Sequence, residues 1–271
     1  MIGHRAVNRG SEPEAPRALA AFREVDAELL AARALLSRMD RKYLLPRETL
    51  DALLSSLRDD YRVLRAGTRL AARYSTNYFD TSDLRMYDDH RRGRCPRYKV
   101  RLRHHLDRTL SFLEVKRRGT NRQTTKAILS RPFGAAELDP EARQFIDQHC
   151  PIAAASLVSG VLIDFRRVTL LGEIANERVT IDWDVDFHAV HGPPQGGTCV
   201  SAATRLTDVV IVEVKQARYS NHTPAIRALR RFRVREKSIS KYCIATAAVA
   251  AVRGNTFKPA LRAVERLSTH E

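Results

Sequence analysis

Lys99-Val100-Arg101-Leu102-Arg103 alternates cation and aliphatic residue without interruption. In an extended chain successive side chains point to opposite faces, so this stretch as a strand carries three cations on one face and Val100 and Leu102 on the other. The device recurs. Glu114-Val115-Lys116 and Glu213-Val214-Lys215 each set an acid and a base on one face, and Arg178, Thr180, Asp182 and Asp184 alternate with Val179, Ile181 and Trp183. A single such strand describes any sheet with one wet face. Several together stack Lys99, Arg101, Arg103, Lys116 and Lys215 on one side, and like charges directly across a sheet are destabilising. Interleaved carboxylates compensate in part and a bound polyanion supplies the rest. The pattern predicts an α+β fold around an antiparallel β-barrel with a polar interior, helices packed outside and an N-terminal helical extension.

Outward from these strands, the chain has 271 residues, 44% of them apolar, which suits a globular domain with a sizeable core. Lys and Arg number 47 against 31 Asp and Glu, a formal charge of +16. That excess points to an anionic partner: nucleic acid, membrane surface or phosphorylated substrate. The four cysteines, Cys95, Cys150, Cys199 and Cys243, include no C-x-x-C pair, which argues against a zinc site or disulfide framework and for a reducing cytoplasm. The first ten residues lack the apolar core of a secretory signal. The apolar run at 243–252 is far short of the ~20 residues a membrane span needs, so the sequence reads as soluble.

Three regions follow. Residues 1–37 form a leader and an amphipathic helix at 19–39, where Phe22, Val25, Leu29, Leu30 and Leu36 recur at helical spacing; the helix packs on the domain or docks a partner. Residues 38–250 form the main domain. Strands are expected at 38–44, 73–79, 98–105, 109–117, 159–171, 178–187 and 209–216. Helices are expected at 46–58, opened by Pro46, at 133–149 and from 225. Residues 251–271 form a basic, loosely attached tail. Neither a G-x-x-x-x-G-K-[ST] nor a G-x-G-x-x-G phosphate cradle occurs. The basic strands alternate with Val and Leu, not with the aromatics that stack bases, so no nucleic acid is expected.

The ordered segments R-x-D-x-K-Y (Arg38, Asp40, Lys42, Tyr43), Y-F-D-T (78–81), K-V-R-L-R (99–103), F-L-E-V-K (112–116), R-V-T-I-D (178–182), V-E-V-K (212–215) and S-I-S-K-Y (238–242) together resemble the VTC domain. This is the catalytic domain of the vacuolar transporter chaperone polyphosphate polymerase. The resemblance spans roughly residues 38–247. It implies a triphosphate tunnel in which ATP is the phosphoryl donor, ADP leaves, inorganic polyphosphate grows, and a divalent metal, Mn2+ or Mg2+, assists. Carried over by position, the tunnel cations are Lys42, Arg101, Arg103, Lys116, Lys126, Arg167, Arg178, Lys215 and Lys241. Arg101, Arg103, Arg167 and Arg178 fall to the γ-phosphate and acceptor end, and the lysines to the track of donor and product. Glu213 holds the metal and Ser240 contacts phosphate near the tunnel end. A further family cation falls at His90 or Arg91.

Triphosphatases and adenylate cyclases of the wider superfamily open with E-x-E-x-K. Here Arg38 and Asp40 stand in place of the two carboxylates, which favours the polymerase over the hydrolase. No covalent nucleophile is required, and the pair His104 and His105 reads as barrel rim. The regulatory SPX and membrane segments of the eukaryotic complex have no counterpart in the matched motifs. The implied location is cytoplasmic, peripheral to the inner face of the membrane through a separate membrane protein.

Overall fold

The computed structural model describes residues 15–33, 39–120, 123–191, 199–200, 204–206, 208–250, 252 and 254–268. Arg38, the first residue of the R-x-D-x-K-Y segment, lies outside them. The strands are β1 Met39–Pro46, β2 Tyr61–Val63, β3 Ala72–Thr81, β4 Arg97–His105, β5 Leu110–Arg118, β6 Thr124–Arg131, β7 Leu157–Gly172, β8 Glu177–His191, β9 Cys199–Val200, β10 Thr204–Leu206 and β11 Val209–Gln216. The helices are α1 Ala27–Ala32, α2 Leu50–Ser55, α3 Arg85–Arg91, α4 Pro140–His149, α5 Pro224–Arg231, α6 Lys241–Val249 and α7 Lys258–Ser268. Every strand pair in the sheet is antiparallel, along the path β1-β11-β8-β7-β3-β4-β5-β6, with β2, β9 and β10 joined at the side. Among the described residues the path does not close, since β1 and β6 remain its two ends. The sheet nevertheless curls. Lys116 on β5 reaches to 4.0 Å from Asp40 on β1, although five strands separate β1 from β5 along the path. Side chains span that seam where backbone pairing does not.

Three apolar clusters account for the layers. Tyr43, Leu45, Val168, Leu170, Val179, Ile181, Val212 and Val214 point outward under α2 and α5. Val100, Leu102, Leu113 and Val115, the aliphatic half of the alternating strands, pack outward under α4. The third cluster differs. Val161, Ile163, Phe165, Val185, Phe187, Val209 and Ile211 pack with Tyr242, Cys243 and Ile244 of α6. Val209 and Ile211 share their strand face with Glu213 and Lys215, so α6 covers one end of the inner face.

A bulge in β8 makes this arrangement possible. The β7–β8 register shifts between Asp164 and Arg166, and Asp184 adopts a left-handed φ of 48°. One extra residue flips the alternation. Val179, Ile181 and Trp183 therefore face outward, whereas Val185 and Phe187 face α6. Asp184, expected beside Arg178, Thr180 and Asp182, leaves that face and pairs with Arg166 at 3.3 Å.

Helix ends follow local chemistry. Asp139 caps α4 by accepting from Ala142 N–H, and Pro140 takes the first helical position, so the helix expected from 133 starts at 140. Pro46 ends β1 instead of opening a helix; a 3-10 turn, Arg47–Thr49, leads into α2. The continuous helix expected at 19–39 is absent among the described residues of that stretch. A 3-10 turn at Arg17–Ala21 and the short α1 flank a segment that pairs with β2, with Val25 N–H donating to Val63 O and Val63 N–H to Arg23 O. Tertiary pairing overrides helical periodicity there. Described residues of the C-terminal stretch are anchored: Phe257 and, on α7, Ala260, Ala263 and Val264 are buried in the α6 cluster.

Candidate functional site

Each strand of the main path contributes polar or charged groups to the inner face. Asp40 and Lys42 come from β1, Glu213 and Lys215 from β11, Arg178, Thr180 and Asp182 from β8, and Arg167 from β7. Tyr74, Thr76 and Tyr78 come from β3, Lys99, Arg101 and Arg103 from β4, Glu114 and Lys116 from β5, and Lys126 from β6. Ser240 and Lys241 arrive on the start of α6. The cations outnumber the carboxylates by more than two to one.

Three carboxylates keep this face from repelling itself apart, each gripping two cations. Glu114 accepts from Arg101 and pairs with Lys126 at 2.5 Å. Asp182 takes the Arg167 fork at 2.5 and 2.7 Å and also Lys241. Glu213 accepts from Lys215 at 2.8 Å and lies 3.9 Å from Lys42, whose ammonium donates to Ile239 O at 3.0 Å. Burial pushes the Glu213 and Asp182 carboxyls up, but the cations outweigh it. Lys215 and Lys42 hold Glu213 well below the usual carboxylate range. Arg167 and Lys241 bring Asp182 to about 2.

Another set of cations has no such clamp. Lys99 donates to Ser240 Oγ at 2.6 Å. Arg103 lies over the Tyr74 ring at 5.8 Å, and that ring is also approached by Arg167 at 5.4 Å. Burial brings the Lys99 ammonium down to about 8, with Lys42 and Lys116 adding to the effect. Burial brings Lys116 to about 8 as well, offset in part by Asp40. Its side chain keeps 40% of its surface in water, so solvent tempers the shift there and Lys99 carries the larger share.

The signs for ligand and fold are opposite. A polyanion bound at this face would be held less tightly as pH rises through about 8 and Lys99 loses its charge, whereas the empty protein gains stability between about 8 and the ordinary 10.5. Binding near pH 8 takes up protons, because the anion draws the lysine pKa back up. Calorimetry in buffers of different ionisation enthalpy measures that uptake, and an affinity flat across this range removes Lys99 from the site.

The described strand residues expected at the site lie on this inner face, with Ser240 and Lys241 at the start of α6, but Arg178 is engaged at its margin. Its guanidinium donates to Arg33 O at 3.0 Å. Of the ambiguous pair on α3, Arg91 pairs with Asp88 on its own helix, while His90 is held neutral by burial and the nearby Lys99, its pKa drawn to about 2. His104 and His105 are occupied by neighbours: His104 Nδ1 shares a hydrogen bond with Ser111 Oγ at 2.7 Å, and the His105 ring meets Tyr74 edge-on at 4.6 Å.

Sequence reasoning missed how α6 is held in place. Asp80, fully buried, accepts from the N–H groups of Thr81, Met86 and Tyr87 and from the Tyr242 hydroxyl. It caps α3 and ties down α6, and thereby places Ser240 and Lys241. The Y-F-D-T and S-I-S-K-Y segments contained both partners, but only the folded chain brings them together.

Among the described residues no three His, Cys, Asp or Glu side chains gather as an all-protein metal cage. Mg2+-like cations are often held by one or two carboxylates plus substrate phosphates. Glu213, a single carboxylate beside Lys215 and Lys42, would fit a cation of that kind arriving with an anion that engages those lysines.

The geometry defines a basic inner sheet face stabilised by its own carboxylates. The VTC domain family matches residues 37–250, most of the chain, and the chain belongs to that family. Among curated proteins none matches. Solved structures with a distant likeness include a candidate adenylate cyclase from Bacillus halodurans, 16% identical over 75% of this chain and 94% of its own, TM-score 0.42. A Hippeastrum protein named among adenylyl cyclases and described as revealing a dominant triphosphatase activity is 11% identical over 79% and 97%, TM-score 0.44. No helix among the described residues is long and apolar enough to cross a membrane.

Proposed function

We propose that the protein is a polyphosphate polymerase, transferring the γ-phosphoryl group of ATP to a growing inorganic polyphosphate chain and releasing ADP. The pairing pattern carries this reading. The buried carboxylates Glu114 and Asp182 are each occupied by two cations, so neither is poised to activate water, while Lys99 and Arg103 have no carboxylate of their own and are open to an anion. Such a surface favours exchange between phosphates over hydrolysis.

Phosphoryl transfer needs in-line positioning and neutralised charge rather than covalent work by the protein. Arg101, Arg103 and Arg167, with Arg178 at the margin, hold the γ-phosphate and the acceptor end, since a guanidinium grips two oxygens at once. Lys42, Lys116, Lys126, Lys215 and Lys241 act as point charges along the track and tolerate sliding. Ser240 contacts phosphate at the start of α6. Glu213, with the phosphates, would hold Mn2+ or Mg2+, and the metal would supply further charge neutralisation at the triphosphate. Any coupling to transport runs through a separate membrane protein.

The test incubates pure protein with ATP and manganese and resolves products by size. ADP with a lengthening polymer supports the polymerase, free phosphate alone identifies a triphosphatase, and no turnover leaves a polyphosphate-binding module. Lys215→Ala is expected to abolish synthesis with the fold intact.

A companion measurement needs no turnover. Tripolyphosphate raises the melting temperature at low ionic strength, by mass action on the native state, and salt diminishes the shift. A melting temperature indifferent to tripolyphosphate rejects the phosphate site altogether.

A further inference from the structure

On β3, Tyr74, Thr76 and Tyr78 alternate onto the inner face, so one small hydroxyl sits between two rings that each carry an arginine. Thr76 is 1% exposed, and its Oγ1 has no hydrogen-bond partner among the described residues. The residue opposite it in the β3–β4 register is Arg103, whose Nε is likewise buried without a partner. Nearby guanidiniums have theirs: Arg101 holds Glu114 and the Tyr78 hydroxyl, and Arg167 holds Asp182. A buried donor left unsatisfied is costly and uncommon in folded proteins. Two of them, face to face across one ladder, lack the same thing, an acceptor oxygen. Burial and the flanking Arg101 lower the pKa of Arg103, so an anion there also relieves crowding of like charge.

We propose that Thr76 Oγ1 and the Arg103 guanidinium form one phosphoryl subsite of the inner face, in which Thr76 is a specificity-determining contact donating to a non-bridging oxygen of a condensed inorganic phosphate. The subsite rests on the reading of this face as a phosphate site. Arg103 supplies charge that any anion satisfies. Thr76 supplies a fixed hydroxyl, which selects a group presenting an oxygen on the β3 side as well.

Two substitutions at Thr76 test it. Thr76→Val keeps the shape and β-branching and removes only the hydroxyl; Thr76→Ser keeps the hydroxyl. Tripolyphosphate binding is measured by calorimetry without ATP or metal, and melting of the empty protein is measured alongside. In the Val variant the dissociation constant rises about tenfold, the usual worth of a hydrogen bond to a charged group. Its empty form melts no lower than wild type, because an unsatisfied hydroxyl has been replaced by an apolar group suited to a strand. The Ser variant binds within about twofold of wild type. Unchanged affinity in Thr76→Val overturns the subsite, and with lowered melting it shows that the hydroxyl bonds to protein or a buried water instead. Failure of wild type to bind tripolyphosphate overturns the subsite and the phosphate reading together. Binding as expected, with no polymer made from ATP, rejects the polymerase alone.

Discussion

If the protein is the proposed polymerase, Glu213→Gln is expected to lower polymer synthesis about a hundredfold, roughly 2.7 kcal/mol of transition-state stabilisation, while tripolyphosphate still binds. Two roles for Glu213 make opposite predictions. As a counter-charge it ties up Lys215 and Lys42, so neutralising it frees both and leaves synthesis intact with tighter binding. As the protein's share of a metal site it cannot be replaced by an amide, a much poorer ligand for a hard cation. Binding by calorimetry and synthesis by gel on one preparation separate the two. Synthesis near the wild-type rate removes the metal assignment.

Asp182→Asn is expected to damage the empty fold severely. Asp182 is almost wholly buried and holds Arg167 and Lys241. Removing its charge strands two cations that have lost water, a loss on the order of 3–5 kcal/mol. Denaturant unfolding measures it. Tripolyphosphate rescues the variant by a larger margin than it stabilises wild type, since the stranded cations gain an anion. The pH dependence has a definite sign. The folded pKa, about 2, lies below the ordinary 3.8, so this stability is present above about 3.8 and is lost as pH falls toward 2. A variant as stable as wild type shows the pairs to be ornamental.

Much of this was legible in the residues because period-2 alternation survives wherever a strand stays regular. Lys99, Arg101 and Arg103 face inward and Val100 and Leu102 outward as the alternation requires. The same rule failed at Asp184, where a bulge that no local residue announces reverses β8. Strand β6, Thr124–Arg131, has no clean alternation because it is an edge strand with much of its length exposed. Residues 19–33 have helical spacing, but pairing with β2 holds their centre extended. Helix α6 was visible only as an apolar run, since a helix buried on most sides has no polar stripe to betray its period. At the site, residue types were legible but partnerships were not. That Thr76 faces Arg103, or that Asp80 reaches Tyr242, depends on register and tertiary approach.

On the proposed reading, the carboxylate clamps also bear on how product would leave. A pore lined by bare cations would hold a polyanion so firmly that each advance by one unit had to climb out of a deep well. Here Glu114 and Asp182 would remain beside the path, and a cation that releases a phosphate would be received at once by its own acid. On the proposed polymerase reading, the energy along the axis would thereby be levelled and a growing polymer would slip forward with little friction.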